Sequence, residues 1–257
     1  MVVVLYQLCP QKFRKYILLL ANYAFFYIWS KFFLVYQVIT MVITYVSSKI
    51  IDHTLNKKTK KFILFLVIVI NLGVLVILKY TNFLGENIFA IFHQKFTTVH
   101  FITPIGISYY TLQMISYLMD ISSGKIHADH SIVDFAVYAS FFPTLIQGPI
   151  TRFNEIKDSI LACNPITYQN LKFGSQRILF GLMKKMIIAD RLDPAVSKIF
   201  TSYTQDGLFS LIGAVLCTIQ LYMDFSGIVD ICLGSAEIFG INLPENFRQP
   251  FFAENAS

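Results

Sequence analysis

The chain is poor in charge, and its cysteines and histidines share no pattern that would build a metal centre. Charged residues make up only 14% of the 257, against about 25% in a soluble domain, which excludes a freely soluble globule. Cys9, Cys163, Cys217 and Cys232 show neither CxxC nor other metal-ligand spacing, so they read as small apolar residues rather than disulfides or ligands. No GxSxG elbow, phosphate loop or zinc-ligand motif occurs. The net charge of +6 comes without any nucleic-acid-binding signature. Its basic residues lie mostly between apolar segments, as in cytoplasmic loops. Residues 1–8 are too short for the apolar region of a signal peptide. There is no internal repeat, low-complexity tract or Ser/Gly linker, so residues 1–257 read as one membrane domain.

What the chain does have is apolar mass: 55% hydrophobic residues, with aromatics at 16%. That composition defines a polytopic membrane protein, and apolar segments of helical span length make the expected fold class all-α. Residues 2–8 are too short to cross a bilayer, which takes about 20 apolar residues. Residues 16–30 and 32–51 form two apolar segments whose short junction at Ser30-Lys31 suits a tight helical hairpin. The connection over residues 53–61 carries Lys57, Lys58, Lys60 and Lys61 and belongs on the cytoplasmic side. Lys12, Arg14 and Lys15 share that side, because two helices intervene. A third span, residues 62–78, ends in Lys79-Tyr80-Thr81-Asn82-Phe83 on the opposite side. Residues 84–102 suit an interfacial segment in which His93 and His100 are surface histidines.

Residues 103–153 break the pattern. Pro104, Gly106, Pro143, Gly148 and Pro149 interrupt the backbone, while Gln113, Asp120 and Arg152 bring polar groups into apolar runs. Unpaired polar groups are costly in hydrocarbon, so such segments survive inside protein or beside a wet cavity. Residues 154–169 form a polar loop or an amphipathic surface helix. In residues 171–189, Gly174, Arg177, Gly181 and Lys184 share one helix face, which could bind an anionic substrate or anchor the helix. A turn at residues 189–194 ends that segment.

Residues 207–240 are the longest apolar run. Gly213, Gln220, Gly227 and Gly234 recur every seven residues and predict a seam against another helix. Asp224 borders that seam about mid-run, where a carboxylate is a functional candidate or else pairs with Arg152, Arg177 or the backbone. Asp230 and Glu237 share another face and approach the interface, with little claim to direct chemistry. His127 and His130, flanking Asp129, read as residues of a connecting turn and not as a metal pair.

Several stretches occur in a consistent order: K-Y-T-N-F, P-I-G-I-S-Y-Y-T-L-Q, I-S-Y-L-M-D, F-F-P-T-L-I-Q-G-P-I-T-R, K-K-M-I-I-A-D-R, and D-F-S-G followed by L-P-E-N-F-R-Q-P. Together they resemble the membrane-bound O-acyltransferases, in particular the alginate O-acetyltransferase-like bacterial branch that acylates cell-surface polysaccharides. The resemblance implies a multi-helix bundle around a central tunnel, with broken or re-entrant helices, in a bacterial plasma membrane and surrounded by its lipids. It implies transfer of an acyl group, in the first instance acetyl, from a cytoplasmic donor such as acetyl-CoA or an acyl-carrier thioester. The acceptor would be a polysaccharide or an extracytoplasmic acyl-transfer partner protein; no bound cofactor, metal or nucleic acid is implied.

Candidate lining residues are Gln113, Asp120, Arg152, Arg177, Gln220, Asp224, Ser226 and Asn246, with Asp224 in a supporting role. The family's catalytic histidine lies in a W-H-x-S-x segment that follows L-P-E-N-F-x-x-P, and no histidine follows His130 here. The resemblance therefore implies the N-terminal half to two-thirds of such an enzyme, truncated at both ends, with L-Y-Q-L-C-P-Q-K-F-R-K-Y as the end of a first membrane helix and its basic turn. It also implies no turnover by these residues alone. A membrane transporter or a lipid- or polysaccharide-handling protein is the alternative that broken helices and isolated charges also fit.

Overall fold

A computed structural model describes residues 1–92, 94, 96–99, 106–145, 148–149, 151–202 and 207–245. All regular structure among them is helical. A short α1 (Val2–Leu8) stops at Cys9-Pro10, and α2 (Gln11–Trp29) begins at once. Lys12, Arg14 and Lys15 therefore lie inside α2 rather than in a turn. Ser30 alone makes the hairpin to α3 (Lys31–His53). It is extended (φ −161°, ψ 106°), its N–H closes α2 on the Phe26 carbonyl, and its hydroxyl accepts from the Phe33 N–H. One polar residue thus satisfies groups at both helix ends.

Asn56 caps α4 (Lys57–Leu75) by accepting from the Lys58 N–H at 2.9 Å. The lysine cluster is consequently the first turns of a helix and not a loop. Nor does this helix end at Lys79. It passes through a π-helical turn, Val76–Tyr80, into α5 (Thr81–Ile91). The K-Y-T-N-F motif straddles the end of this π turn, a feature that often accompanies function, with Lys79 and Tyr80 inside it and Thr81-Asn82-Phe83 opening α5. Lys79 Nζ reaches the Ser108 hydroxyl at 3.0 Å.

The centre of the molecule is built from the interrupted stretch. Gly106, with φ 82°, starts α6 (Ile107–Ser122) from the left-handed region that favours glycine. Ile107, Tyr110, Met114, Tyr117, Leu118 and Ile121 form a fully buried stripe at helical spacing, packed against α3 and α4. After it come the short α7 (Ile132–Ala139) and α8 (Phe142–Leu145). Gly148 folds back so tightly that a Cβ there would lie 2.6 Å from the Pro143 carbonyl oxygen and the Thr144 Cα. Tyr117, Phe135, Tyr138 and Phe153 form one aromatic cluster with centroids 4.6–6.3 Å apart.

The amphipathic α9 (Phe153–Ala162) buries Phe153, Ile156 and Ile160. Its loop is fastened to the N-terminal helices by hydrogen bonds. Tyr6 Oη donates to the Asn164 carbonyl (3.1 Å), Gln11 Nε2 to Ala162 (2.9 Å) and the buried Arg14 to Cys163 (3.1 Å), while Gln7 accepts from the Ile166 N–H (2.8 Å).

Then α10 (Tyr168–Leu182) continues through a second π stretch, Met183–Ala189, into α11 (Asp190–Ser202). The turn expected at residues 189–194 is absent. Pro194 sits within the helix, where it removes one hydrogen bond without stopping the element. Last, α12 (Gly207–Ile238) runs for 32 residues. Among the described residues, three stretches are long and apolar enough to cross a bilayer: Lys31–His53, Lys57–Ile91 and Gly207–Ile238. The chain is an all-α membrane protein.

Candidate functional site

The sevenfold glycine repeat becomes a helix contact. A Cβ on Gly174 would lie 2.7 Å from the Gly234 carbonyl oxygen, and one on Gly234 would lie 2.6 Å from that of Gly174. Gly181 and Gly227 repeat the arrangement at 2.5 and 2.8 Å. The reciprocal pairs run in opposite order along the two helices, so α10 and α12 are antiparallel and meet backbone to backbone. Only glycine allows this approach at four successive contact points. Gly213, further back on α12, abuts Ile199 of α11 instead.

That approach carries charges with it. Arg177 follows Gly174 by three residues, and Asp230 follows Gly227 by three, so the seam sets them opposite each other. Arg177 Nε donates to Asp230 Oδ1 at 3.2 Å, and Lys184 Nζ donates to Oδ2 at 2.6 Å. The two terminal nitrogens of Arg177 also hold both oxygens of Glu245 at 2.6 Å each, a planar bidentate pairing suited to guanidinium. The Asp230 side chain is only 13% exposed.

Asp230 is the hub of this network, and together with Glu245 it neutralises Arg177 and Lys184. The spacing rule that predicted the seam contained the Arg177–Asp230 pairing, since both residues occupy the same offset from their glycines.

Asp224 pairs with Lys185 at 2.5 Å, and Lys185 also holds Asp190 at 2.9 Å. Neither Arg152 nor Arg177 is its partner, and its side chain is 39% exposed overall although Oδ1 is buried. Gln220 donates to Asp193 Oδ1 at 2.8 Å, tying α12 to α11. Ser226 is buried, and its hydroxyl has no hydrogen-bond partner among the described residues. Asn246 lies outside the described residues, as do Pro104, His93 and His100.

A second polar cluster stands in the interrupted stretch. Asp120 is 5% exposed. Its Oδ1 is 3.6 Å from Lys125 Nζ and 3.8 Å from an Arg152 terminal nitrogen, distances that give attraction without a hydrogen bond. Its Oδ2, Gln113 Nε2 and Thr151 Oγ1 are buried without hydrogen-bond partners among the described residues. Tyr138 Oη donates to the Thr151 carbonyl at 3.0 Å. Buried groups of this kind each cost about 1–3 kcal/mol when unpaired.

The connecting turn is more structured than its sequence implies. His130 Nε2 is 2.8 Å from Tyr117 Oη, and its ring packs on Phe153 at 4.5 Å. Burial holds its pKa below the usual histidine value, although Asp129 and Asp134 pull the other way. His127 pairs with Asp52, not with Asp129. Among the described residues, no group of three or more His, Cys, Asp or Glu side chains is placed to hold a metal.

Comparison with known proteins places this geometry. No model of a known protein family matches the chain. The chain is similar to the probable alginate O-acetylase AlgI of Pseudomonas aeruginosa, 34% identical over 258 residues that cover 98% of this chain and 49% of that protein. It is 32% identical to the peptidoglycan O-acetyltransferase of Helicobacter pylori over 95% of this chain and 51% of that protein. With the teichoic acid D-alanyltransferase of Bacillus subtilis it shares 28% identity over 60% of the chain and 40% of that protein. The chain spans about half the length of the curated relatives it matches. Near-complete coverage of the chain at one-third identity, in proteins named as an alginate O-acetylase and a peptidoglycan O-acetyltransferase, carries the conclusion that the chain belongs to the membrane-bound O-acyltransferase family.

Proposed function

We propose that this chain forms a single membrane domain, the N-terminal part of an O-acyltransferase that moves an acetyl group onto a cell-surface polysaccharide. The observation that carries the reading is the 34% identity, over 98% of the chain, to a protein named as an alginate O-acetylase. The donor is a thioester, acetyl-CoA or an acyl-carrier conjugate, reached from the cytoplasm. The acceptor is a hydroxyl outside, on the polymer itself or on an extracytoplasmic transfer protein. In the transfer a hydroxyl oxygen bonds the acyl carbon, the carbon–sulfur bond breaks, and the hydroxyl proton passes to a base.

Topology follows from charge. The hairpins α2–α3 and α3–α4 bring the starts of α2 and α4 to one end of the bundle. Lys12 and Lys15 there join Lys57, Lys58, Lys60 and Lys61, and this end faces the cytoplasm of a bacterium. The helices enclose the path between the two sides, with Gln113, Asp120, Arg152, Arg177, Gln220, Asp224, Ser226 and Asn246 as its polar lining.

The chain's own groups have distinct parts in this reading. The α10–α12 seam is a rigid wall. Arg177, by holding Glu245, ties the chain that leaves α12 back onto that wall. The Asp120–Arg152 corner, with its unsatisfied polar atoms, meets substrate polar groups. His127, His130 and Asp224 are engaged by Asp52, Tyr117 and Lys185, which gives these three positioning roles rather than proton abstraction.

The test is deletion of the chromosomal gene, followed by measurement of ester-linked acetyl on surface polymer, with complementation by the full-length gene. Loss on deletion and return on complementation are expected. Unchanged acetyl content would refute the assignment.

A further inference from the structure

Two cavities flank the place where the loop after α9 is stapled to α1 and α2, and their chemistry is complementary. One, of about 300 Å³, lies between α1 and the start of α10, with Val3, Val4, Leu8, Ile166 and Leu171 in its wall. Its polar neighbours are already spent: Gln7 accepts from the Ile166 N–H, and Thr167 caps α10. The other, of about 450 Å³, lies at the start of α2 and is lined by Gln11, Lys12, Lys15, Tyr16, Ala162 and Cys163.

The cations of that second cavity are not equivalent. Lys15 is bound to Asp134 at 3.1 Å, and nearby Arg14 is spent on the Cys9 and Cys163 carbonyls. Lys12 is exposed and has no ion pair among the described residues. An apolar slot beside a cavity with one unneutralised ammonium fits an anionic amphiphile. A peptide would leave its backbone groups unpaired in the apolar slot. A zwitterionic lipid brings Lys12 a phosphate already accompanied by the headgroup's own cation, so its attraction there is weaker than that of a net anionic lipid.

We propose that this paired site holds one anionic phospholipid of the surrounding bilayer, with its phosphate at Lys12 and an acyl chain in the cavity between α1 and α10. On the topology proposed above, which the site itself does not need, this lipid belongs to the cytoplasmic leaflet. Apolar chain burial and attraction of basic residues to anionic headgroups supply separate contributions, and a lipid so held clamps α1, the α9–α10 loop and α10 together.

Native mass spectrometry of the detergent-purified protein, titrated with phosphatidylglycerol or phosphatidylcholine, separates the possibilities. One phosphatidylglycerol should remain bound under activation that strips phosphatidylcholine. Lys12→Glu should weaken that retention about tenfold, whereas Lys31→Glu, at the opposite end of the α2–α3 hairpin, should not. Leu171→Trp, which fills the apolar cavity, should lower phosphatidylglycerol retention with Lys12 intact. Circular dichroism and melting of each variant establish that it is folded. Equal retention of both lipids would overturn the proposal. So would an unchanged adduct in folded Lys12→Glu, or glycerol phosphate competing as well as the whole lipid.

Discussion

Gly181 and Gly227 touch through their backbones: a Cβ on either would fall within 2.8 Å of the other's carbonyl oxygen. Both residues therefore hold their identity for space, not for backbone freedom. Gly181→Val or Gly227→Val should force α10 and α12 apart and cost at least the roughly 1–3 kcal/mol typical of overpacking. Gly73, with nothing within 4 Å of its added Cβ, is the control. Melting of the purified variants should show a clear loss for the seam positions and almost none for Gly73→Ala. Equal melting would mean that the helices do not meet as described.

Asp230→Asn should be among the most damaging single changes on α12. It removes a carboxylate shared by Arg177 and Lys184, whose side chains are 27% and 15% exposed. Breaking a buried pair commonly costs about 3–5 kcal/mol, and partial exposure brings this site toward the lower end. Glu245→Gln should cost less, because Glu245 is 39% exposed and Arg177 keeps Asp230. The ranking is checked by melting in detergent and by surface acetylation in cells. Glu245→Gln proving the worse of the two would reverse the assignment of the hub.

The two ends of the α4–α5 helix should label from opposite sides of the membrane. Thr59 and Glu86 are 27 residues apart in sequence, about 40 Å along a helix, more than the roughly 30 Å of hydrocarbon. A single cysteine at Glu86 should react with an impermeant thiol reagent in intact cells, whereas one at Thr59 should react only after lysis. Labelling of Thr59 from outside would invert the topology.

His130 makes stability fall in mild acid. Its folded pKa lies below the unfolded value of about 6.5, so the unfolded chain binds more protons in this window. Stability is then fully present above pH 6.5 and declines as pH drops from there toward the folded pKa. Melting points recorded from pH 7.5 to 5.5 should fall for the native protein and less steeply for His130→Gln. Parallel slopes would show that another group controls the acid limb.

Composition and punctuation alone determined the class, the Ser30 hairpin, the interrupted centre and the sevenfold seam. Each rests on a local rule: apolar content, a capping residue, backbone breakers, or helical period. Three features belonged to the tertiary structure. The helices run on through π turns at Val76–Tyr80 and Met183–Ala189, and the residues that look like terminators, Asn82 and Pro194, lie inside the helices that follow. The lysine cluster became a helix start because Asn56 caps it. And the carboxylates found their partners across 46–68 residues of chain: Asp230 with Arg177 and Lys184, and Glu245 with Arg177. A charge in an apolar run signals that it must be neutralised. Which cation does so depends on the antiparallel approach of two backbones, and that approach exists only once α10 and α12 have packed.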